Sequence, residues 1–292
     1  IVCFALITLL FLDFTGTLHT WFGWLAKIQF LPAVLALNIG VVLLLIVLTL
    51  LFGRIYCSVI CPLGVFQDAV SWISGKRKKN RFRYSPALRW LRYGVLTVFV
   101  IALVAGWNTF VILLAPYSAY GRMASSLLAP FWQWGNNLMA YFAERAESYA
   151  FYEVDVWMKS LSTLIIAIIT LVVLFILAWR NGRTYCNTIC PVGTILGFIS
   201  RYSIFKPVID TSKCNGCGLC ARNCKASCIN TKAHEIDYSR CVACMDCLGK
   251  CKQGAIRYTR RIPKKESATT ETVQVKSVTA EQVNNARRSF LS

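Results

Sequence analysis

Residues 33 to 52, AVLALNIGVVLLLIVLTLLF, contain no charged side chain. As a helix rising about 1.5 Å per residue, the run covers roughly 30 Å, the thickness of a bilayer's hydrocarbon core. Residues 93 to 115 and 160 to 178 repeat the pattern. The opening run Ile1 to Leu12 is shorter and reads as the remainder of a truncated span. It is not read as a cleaved signal peptide, because no basic n-region or small-residue cleavage site is visible. The pattern predicts about four transmembrane helices. Between Pro130 and Trp157 the apolar residues are spaced differently: Phe131, Trp134, Leu138, Phe142 and Tyr149 recur at helical intervals. That spacing predicts an amphipathic helix lying in the membrane interface, with an aromatic belt a simpler account of it than a quinone-contacting surface.

The polar intervals orient these elements. Residues 53 to 92 carry nine basic side chains (Arg54, Lys76, Arg77, Lys78, Lys79, Arg81, Arg83, Arg89 and Arg92) against Asp68 alone. Residues 13 to 32 hold one charge of each sign, and 116 to 159 hold three basic and four acidic residues. Basic loops stay in the cytoplasm, which assigns 53 to 92 and everything after Trp179 to that side. The net charge of +19 on a chain that is 56% hydrophobic is thereby explained as topogenic. Nucleic acid is not an expected partner, since the charge is spread over membrane flanks and a cysteine-rich module.

That module holds the most specific pattern in the chain. Cys214-x2-Cys217-x2-Cys220-x3-Cys224 is repeated as Cys241-x2-Cys244-x2-Cys247-x3-Cys251. Two-residue gaps let three thiolates of one tight loop reach three irons of a cubane, while the fourth thiolate of each run ligates the partner cluster. On this crossed scheme one [4Fe–4S] cluster takes Cys214, Cys217, Cys220 and Cys251, and the other takes Cys241, Cys244, Cys247 and Cys224. Two zinc ions are the alternative for eight thiolates, and the doubled spacing favours iron–sulfur. Over residues 207 to 258 the chain resembles the bacterial dicluster ferredoxins, which implies a small α+β domain. Such ferredoxins usually place Pro after the fourth Cys, whereas Lys225 and Lys252 stand here. A cation beside a cluster stabilises the reduced form, so a less negative potential is expected. Cys228 falls opposite Ala255 when the halves are aligned and reads as a packed free thiol.

A second duplication lies at the membrane face. Gly53-Arg54-x-Tyr56-Cys57-x-x-Ile60-Cys61-Pro62-x-Gly64 reappears as Gly182-Arg183-x-Tyr185-Cys186-x-x-Ile189-Cys190-Pro191-x-Gly193. Each copy follows an apolar span, so the membrane domain is expected to be a two-fold internal repeat of two spans and a cysteine loop. Pro is favoured at the first helical position, which puts Cys61 and Cys190 just before helix N-termini, where the dipole favours thiolate. Two chemistries fit Cys57, Cys61, Cys186 and Cys190: a third Fe–S cluster shared between the halves, or two redox thiol pairs. Haem attachment is not expected, as no CxxCH occurs.

The paired CxxxCP motifs, the spans and the dicluster module resemble, over roughly residues 33 to 258, the polytopic membrane ferredoxins of the NapH/MauN/NosR kind. The resemblance implies a protein of the bacterial inner (cytoplasmic) membrane that takes electrons from quinol and passes them to a partner redox protein. It carries over the cysteines of both motif types but identifies no quinone site. The resulting expectation is a mainly α, polytopic membrane protein with a C-terminal ferredoxin-like domain. Its parts are 1–206 (membrane domain), 207–260 (two [4Fe–4S] clusters) and 261–292 (polar tail). It is read as an electron-transfer subunit of an oxidoreductase, working between a quinol or cytoplasmic donor and another redox protein. No general acid, base or nucleophile stands out. The rival is a redox factor for maturation or regulation of a metalloenzyme, similar to CcoG-type proteins. His19 reads as an interfacial histidine, His234 as an exposed turn residue, and Asn38 and Asn108 as helix–helix hydrogen-bonding residues within spans. Arg287-Arg288 near the end resembles a twin-arginine motif, though adjacent arginines are common in a basic chain.

Overall fold

A computed structural model describes residues 2–13, 15–75, 82–145, 152–156 and 160–260. They fall in one compact unit, Ile1–Arg261. The polar tail with Arg287-Arg288, the cluster Lys76 to Arg81, and the aromatics Tyr149 and Trp157 lie outside the described residues.

Helices dominate. α1 (Val2–Leu12) is followed by three short helices, α2 (Thr17–Phe22), α3 (Trp24–Lys27) and α4 (Phe30–Leu35), then by α5 (Ile39–Phe52). After Gly53 come α6 (Ile55–Val59) and α7 (Pro62–Gly75), then α8 (Arg89–Val104), α9 (Asn108–Leu114), α10 (Pro116–Met123) and α11 (Ala129–Arg145). α12 (Leu161–Asn181), α13 (Thr184–Thr188) and α14 (Pro191–Ile199) complete the helical part. The remainder is α+β: β1 (Phe205–Ile209) pairs antiparallel with β4 (Ile256–Arg260), and β2 (Ile229–Asn230) with β3 (Glu235–Ile236). The one-turn helices α15 (Leu219–Arg222) and α16 (Asp246–Lys250) lie between the strands in sequence.

The expected spans form unequally. α12, with 21 residues and mean hydropathy 3.0, is among the described residues the one helix long and apolar enough to cross a membrane. The run 33–52 breaks instead. α4 stops at Leu35, Leu37 takes φ 52°, and the Asn38 side chain accepts the Val41 N–H at 3.4 Å as the N-cap of α5. Asn38 is therefore a cap, not a residue bonding between helices, and the 14 residues of α5 reach only about 21 Å. The run 93–115 breaks at Gly106 (φ 74°), and Asn108 opens α9. The expected amphipathic helix forms as α11, with Phe131, Trp134, Leu138 and Phe142 all exposed.

The helical core gathers Ile7 and Leu10 of α1, Leu45 of α5, Phe99 and Ala102 of α8, Leu174 of α12 and Leu196 of α14. The other faces stay apolar and exposed, including Leu43, Leu44 and Val47 on α5, Val100, Ile101 and Val104 on α8, and Ile165, Ile169 and Val172 on α12. Apolar surface of this extent is far more than a water-facing protein carries.

Candidate iron–sulfur centres

The two halves of the cysteine-rich module share a backbone geometry. Gly216, Gly218 and Ser227 adopt positive φ (70°, 72° and 50°), and the positions 27 residues later, Ala243, Met245 and Gly254, do the same (51°, 60° and 59°). In the second half Ala243 and Met245 keep the left-handed conformation without glycine, at about 1–2 kcal/mol each. The loop shape is thus retained against a local cost.

These loops wall two cavities. Cys214, Cys217, Cys220 and Cys251 line the first. Cys224, Cys241, Cys244 and Cys247 line the second, together with Cys228. Each cavity gathers one of the crossed sets that the spacing predicts. Among the described residues, no group of three or more His, Cys, Asp or Glu converges tightly enough for a single metal ion. Around a cubane the four thiolates bind four different irons and stand further apart than around one zinc. The first cavity is the outer one, since Cys217 is exposed. The second is the inner one, since Ala226 and Ala243 in its wall abut the CxxxCP loops.

Those loops also repeat in detail. Gly53 and Gly182 end α5 and α12 at φ 75° and 68°, and Arg54 and Arg183 follow at ψ 45° and 38°. The N–H groups of Cys61 and Cys190 donate to the carbonyls of Tyr56 and Tyr185, both at 2.9 Å. Gly64 and Gly193 sit so close to the Cys57 and Cys186 carbonyls that a Cβ would overlap the backbone. Gly64→Ala and Gly193→Ala should each force the cysteine loop open. The expected readout is loss of most bound iron and early elution of the detergent-solubilised protein, whereas Gly94→Ala, which meets nothing, should change neither.

Cys57, Cys61, Cys186 and Cys190 are all buried and lie within electrostatic reach of one another, so the two motifs meet in one pocket. The helix-terminal placement forms as expected: Pro62 and Pro191 open α7 and α14, and Cys190 Sγ accepts the Gly193 N–H at 3.4 Å. Its expected consequence does not follow. Burial pushes all four thiols up, with the neighbouring sulfurs adding at Cys61 and Cys190, and Cys186 reaches about 11 despite Arg183. Buried, protonated thiols are poor redox nucleophiles. A bound cationic metal would favour the thiolate state there, as the buried Arg54 and Arg183 do at Cys57 and Cys186.

Buried cations surround this pocket. Arg183 is fully buried, reaches the Cys57 carbonyl of the other repeat, and pairs bidentately with Asp68 at 2.7 and 2.6 Å. Arg54, equally buried, reaches back to the Gly193 carbonyl at 2.9 Å, Asn187 Oδ1 at 2.6 Å and the Cys241 carbonyl at 3.2 Å. Arg92 also reaches the Gly193 carbonyl, at 3.4 Å, and bonds Ser239. Among the described residues, Arg54 and Arg92 form no ion pair. Asp237 acts on Arg92 only at longer range, and a cubane held by four thiolates, being a net anion, would complement both guanidinium groups. The Gln67 amide points the same way, donating to Cys186 Sγ at 3.3 Å while its Oε1 is unpartnered.

The carboxylate of Asp68 is held below its ordinary value: burial raises it, but Arg183 and then Lys225 outweigh burial. Lys225 sits 2.8 Å from Asp246 and 3.5 Å from Asp68, so its charge is offset, and Lys252 is exposed. His19 is exposed on α2, and His234 is half-buried at φ 50° rather than exposed. Sequence reasoning singled out the cysteines and passed over Arg54, Arg183, Tyr56, Asp68 and Gln67. The repeated Gly-Arg-x-Tyr ahead of each CxxxCP was the available signal for the first three.

Comparison with known proteins agrees with this chemistry. Residues 34–80 and 162–210 both match a family described as a 4Fe-4S binding domain, Fer4_5, and residues 207–230 match a second 4Fe-4S binding domain family, Fer4. The chain is 26% identical over 195 residues to the ferredoxin-type protein NapH of Haemophilus influenzae, covering 66% of this chain and 55% of that protein. It is 22% identical over 189 residues to the methylamine utilization ferredoxin-type protein MauN of Paracoccus denitrificans, covering 64% and 53%. To YccM of Escherichia coli it is 26% identical over 201 residues, covering 66% and 47%. The chain thus spans about half the length of these curated relatives. No solved structure matches it significantly. Both CxxxCP segments and the first ferredoxin run carry 4Fe-4S matches, and over about two thirds of its length the chain is similar to the ferredoxin-type proteins NapH and MauN.

Proposed function

We propose that the chain is a membrane-bound electron-transfer protein that works between a quinol or cytoplasmic donor and a partner redox protein. The observation that carries the reading is the pair of cavities, each walled by a complete set of four cysteines, with the inner one abutting a pocket of four more. Cys214, Cys217, Cys220 and Cys251 would hold the outer [4Fe–4S] cluster, and Cys224, Cys241, Cys244 and Cys247 the inner one. Cys57, Cys61, Cys186 and Cys190 would hold a third. Clusters bound at these positions supply one-electron transfer without proton chemistry. The protein's own residues exclude water from the inner sites, place Arg54, Arg92 and Arg183 as counter-charges, and leave Cys217 exposed towards a partner.

The reading places α12, the runs around α5 and α8, and the α1 segment in the lipid bilayer of a bacterial inner membrane, as two repeated halves. Interrupted helices are tolerated there where neighbouring helices cover the break. The 82–92 segment meets the ferredoxin loops through Phe82 N–H to the Arg222 carbonyl (3.3 Å) and Ser85 N–H to the Ser227 carbonyl (3.4 Å). That supports one shared side for the basic loop and residues 207–260, the cytoplasm on the charge argument.

The test uses anaerobic membranes carrying the full protein. Adding a quinol should develop the EPR signals of reduced clusters, as dithionite does. Signals with dithionite but not with quinol would move the donor to the cytoplasm. Deletion that strips a copper enzyme of its metal while quinol oxidation persists would replace this reading with the maturation role.

A further inference from the structure

Cys228 has no counterpart in the other half of the module, where Ala255 occupies the matching position. It is 1% exposed, and its Sγ lies 3.5 Å from Cys224 Sγ. Cys241 lies beside it as well. Both partners belong to the set lining the inner cavity, and Cys228 itself is part of that cavity's wall. On the far side it borders a polar, open pocket with Tyr84, Arg89 and Asp237. The outer cavity is walled by its own four cysteines with no fifth thiol.

A cluster-bound cysteine is a thiolate and can only accept, so the proton in this contact belongs to Cys228. We propose that Cys228 is a positioning thiol, not a ligand: its S–H donates to the Cys224 or Cys241 thiolate and raises the reduction potential of the inner cluster above that of the outer one. The inference rests on the cluster assignment proposed above. Its physical basis is that a hydrogen bond to a cluster sulfur stabilises the more negative, reduced state more than the oxidised one. One S–H serves one acceptor at a time, but both acceptors belong to the same cluster, so the sign of the effect is the same. The asymmetry places a tuned centre beside the CxxxCP pocket and leaves the exposed centre untuned by this means.

The experiment is an anaerobic EPR redox titration of the reconstituted full protein, with iron counted in parallel. Cys217→Ser marks the outer cluster, because its signal is the one that changes. Cys228→Ala is expected to keep the full iron content. It should lower the inner midpoint by an amount equivalent to about a tenfold change in the reduced-to-oxidised ratio, about 59 mV for one electron. The outer midpoint should not move. Cys228→Ser, which retains a donor, should hold the inner midpoint near that of the unsubstituted protein. An unmoved inner midpoint in Cys228→Ala with iron intact would overturn the proposal. Loss of about four irons in both variants would also overturn it, by making Cys228 a ligand. Absence of [4Fe–4S] signals from the unsubstituted protein would instead fail the underlying cluster assignment.

Discussion

Replacing Cys61 and Cys190 by serine is expected to lower the iron content of the reconstituted protein from about twelve to about eight atoms per chain. The double variant takes one thiol from each CxxxCP motif and none from the ferredoxin cavities. Serine oxygen is a harder donor than thiolate and a poor substitute on an iron–sulfur cluster. Acid-labile sulfide should fall by the same proportion, and the elution volume in detergent should stay constant. Eight irons in the unsubstituted protein as well would remove the third cluster and leave redox thiol pairs or a purely structural role for these cysteines. Thiol–disulfide chemistry needs an accessible thiolate, and all four of these thiols are buried.

Arg183→Met is expected to cost about 3–5 kcal/mol, the usual penalty for removing one partner of a buried pair. It strands Asp68 beside Lys225 alone and leaves the Cys57 carbonyl without its guanidinium donor. A marked fall in thermal midpoint, partly recovered by adding Asp68→Asn, would show that the stranded carboxylate is the source. Arg54→Met probes the other half with a size that depends on cluster content. Arg54 forms no ion pair among the described residues, so in cluster-free protein its removal relieves a buried charge while stranding the Gly193 and Cys241 carbonyls and Asn187 Oδ1, and should cost less than Arg183→Met. In cluster-loaded protein the same change removes a counter-charge and should destabilise more. Equal effects in both forms would mean that the anion facing Arg54 is not a cluster. Asp68 also sets an acid limit. Its carboxyl is lowered in the folded state, so its contribution is present above the ordinary carboxylate value and is lost as pH falls through the lowered one.

Much of this was legible in the sequence because it depends on short-range spacing. The doubled CxxCxxCxxxC runs announce two crossed cysteine sets, and the duplicated GRxYCxxICPxG announces two matching loops with a proline-opened helix after each. The helical spacing of Phe131, Trp134, Leu138 and Phe142 gives α11 its exposed apolar stripe. Hydropathy alone did not show the breaks within 33–52 and 93–115, because it does not register a polar cap. Asn38 and Gly106 are single residues in apolar runs, yet one satisfies a helix N-terminus and the other takes a left-handed turn. Local geometry at one residue overrides average hydrophobicity when a backbone donor needs a partner or the chain must reverse.

By itself, then, the sequence determined which cysteines belong together within each loop, where the apolar runs lie, and that the CxxxCP and CxxCxxCxxxC motifs are each duplicated. Only the tertiary structure decided which cavity is inner and which is outer, that Arg54 and Arg183 each cross into the opposite repeat, and that Cys228 touches Cys224. The physical reason is that these relations join residues more than a hundred positions apart, as between Arg54 and Gly193, turn on burial, as at Cys61 and Cys190, or depend on how a short turn folds back, as between Cys224 and Cys228. Spacing along a chain encodes a loop. The dielectric around a thiol, and the charge that faces it, exist only once distant segments have closed over it.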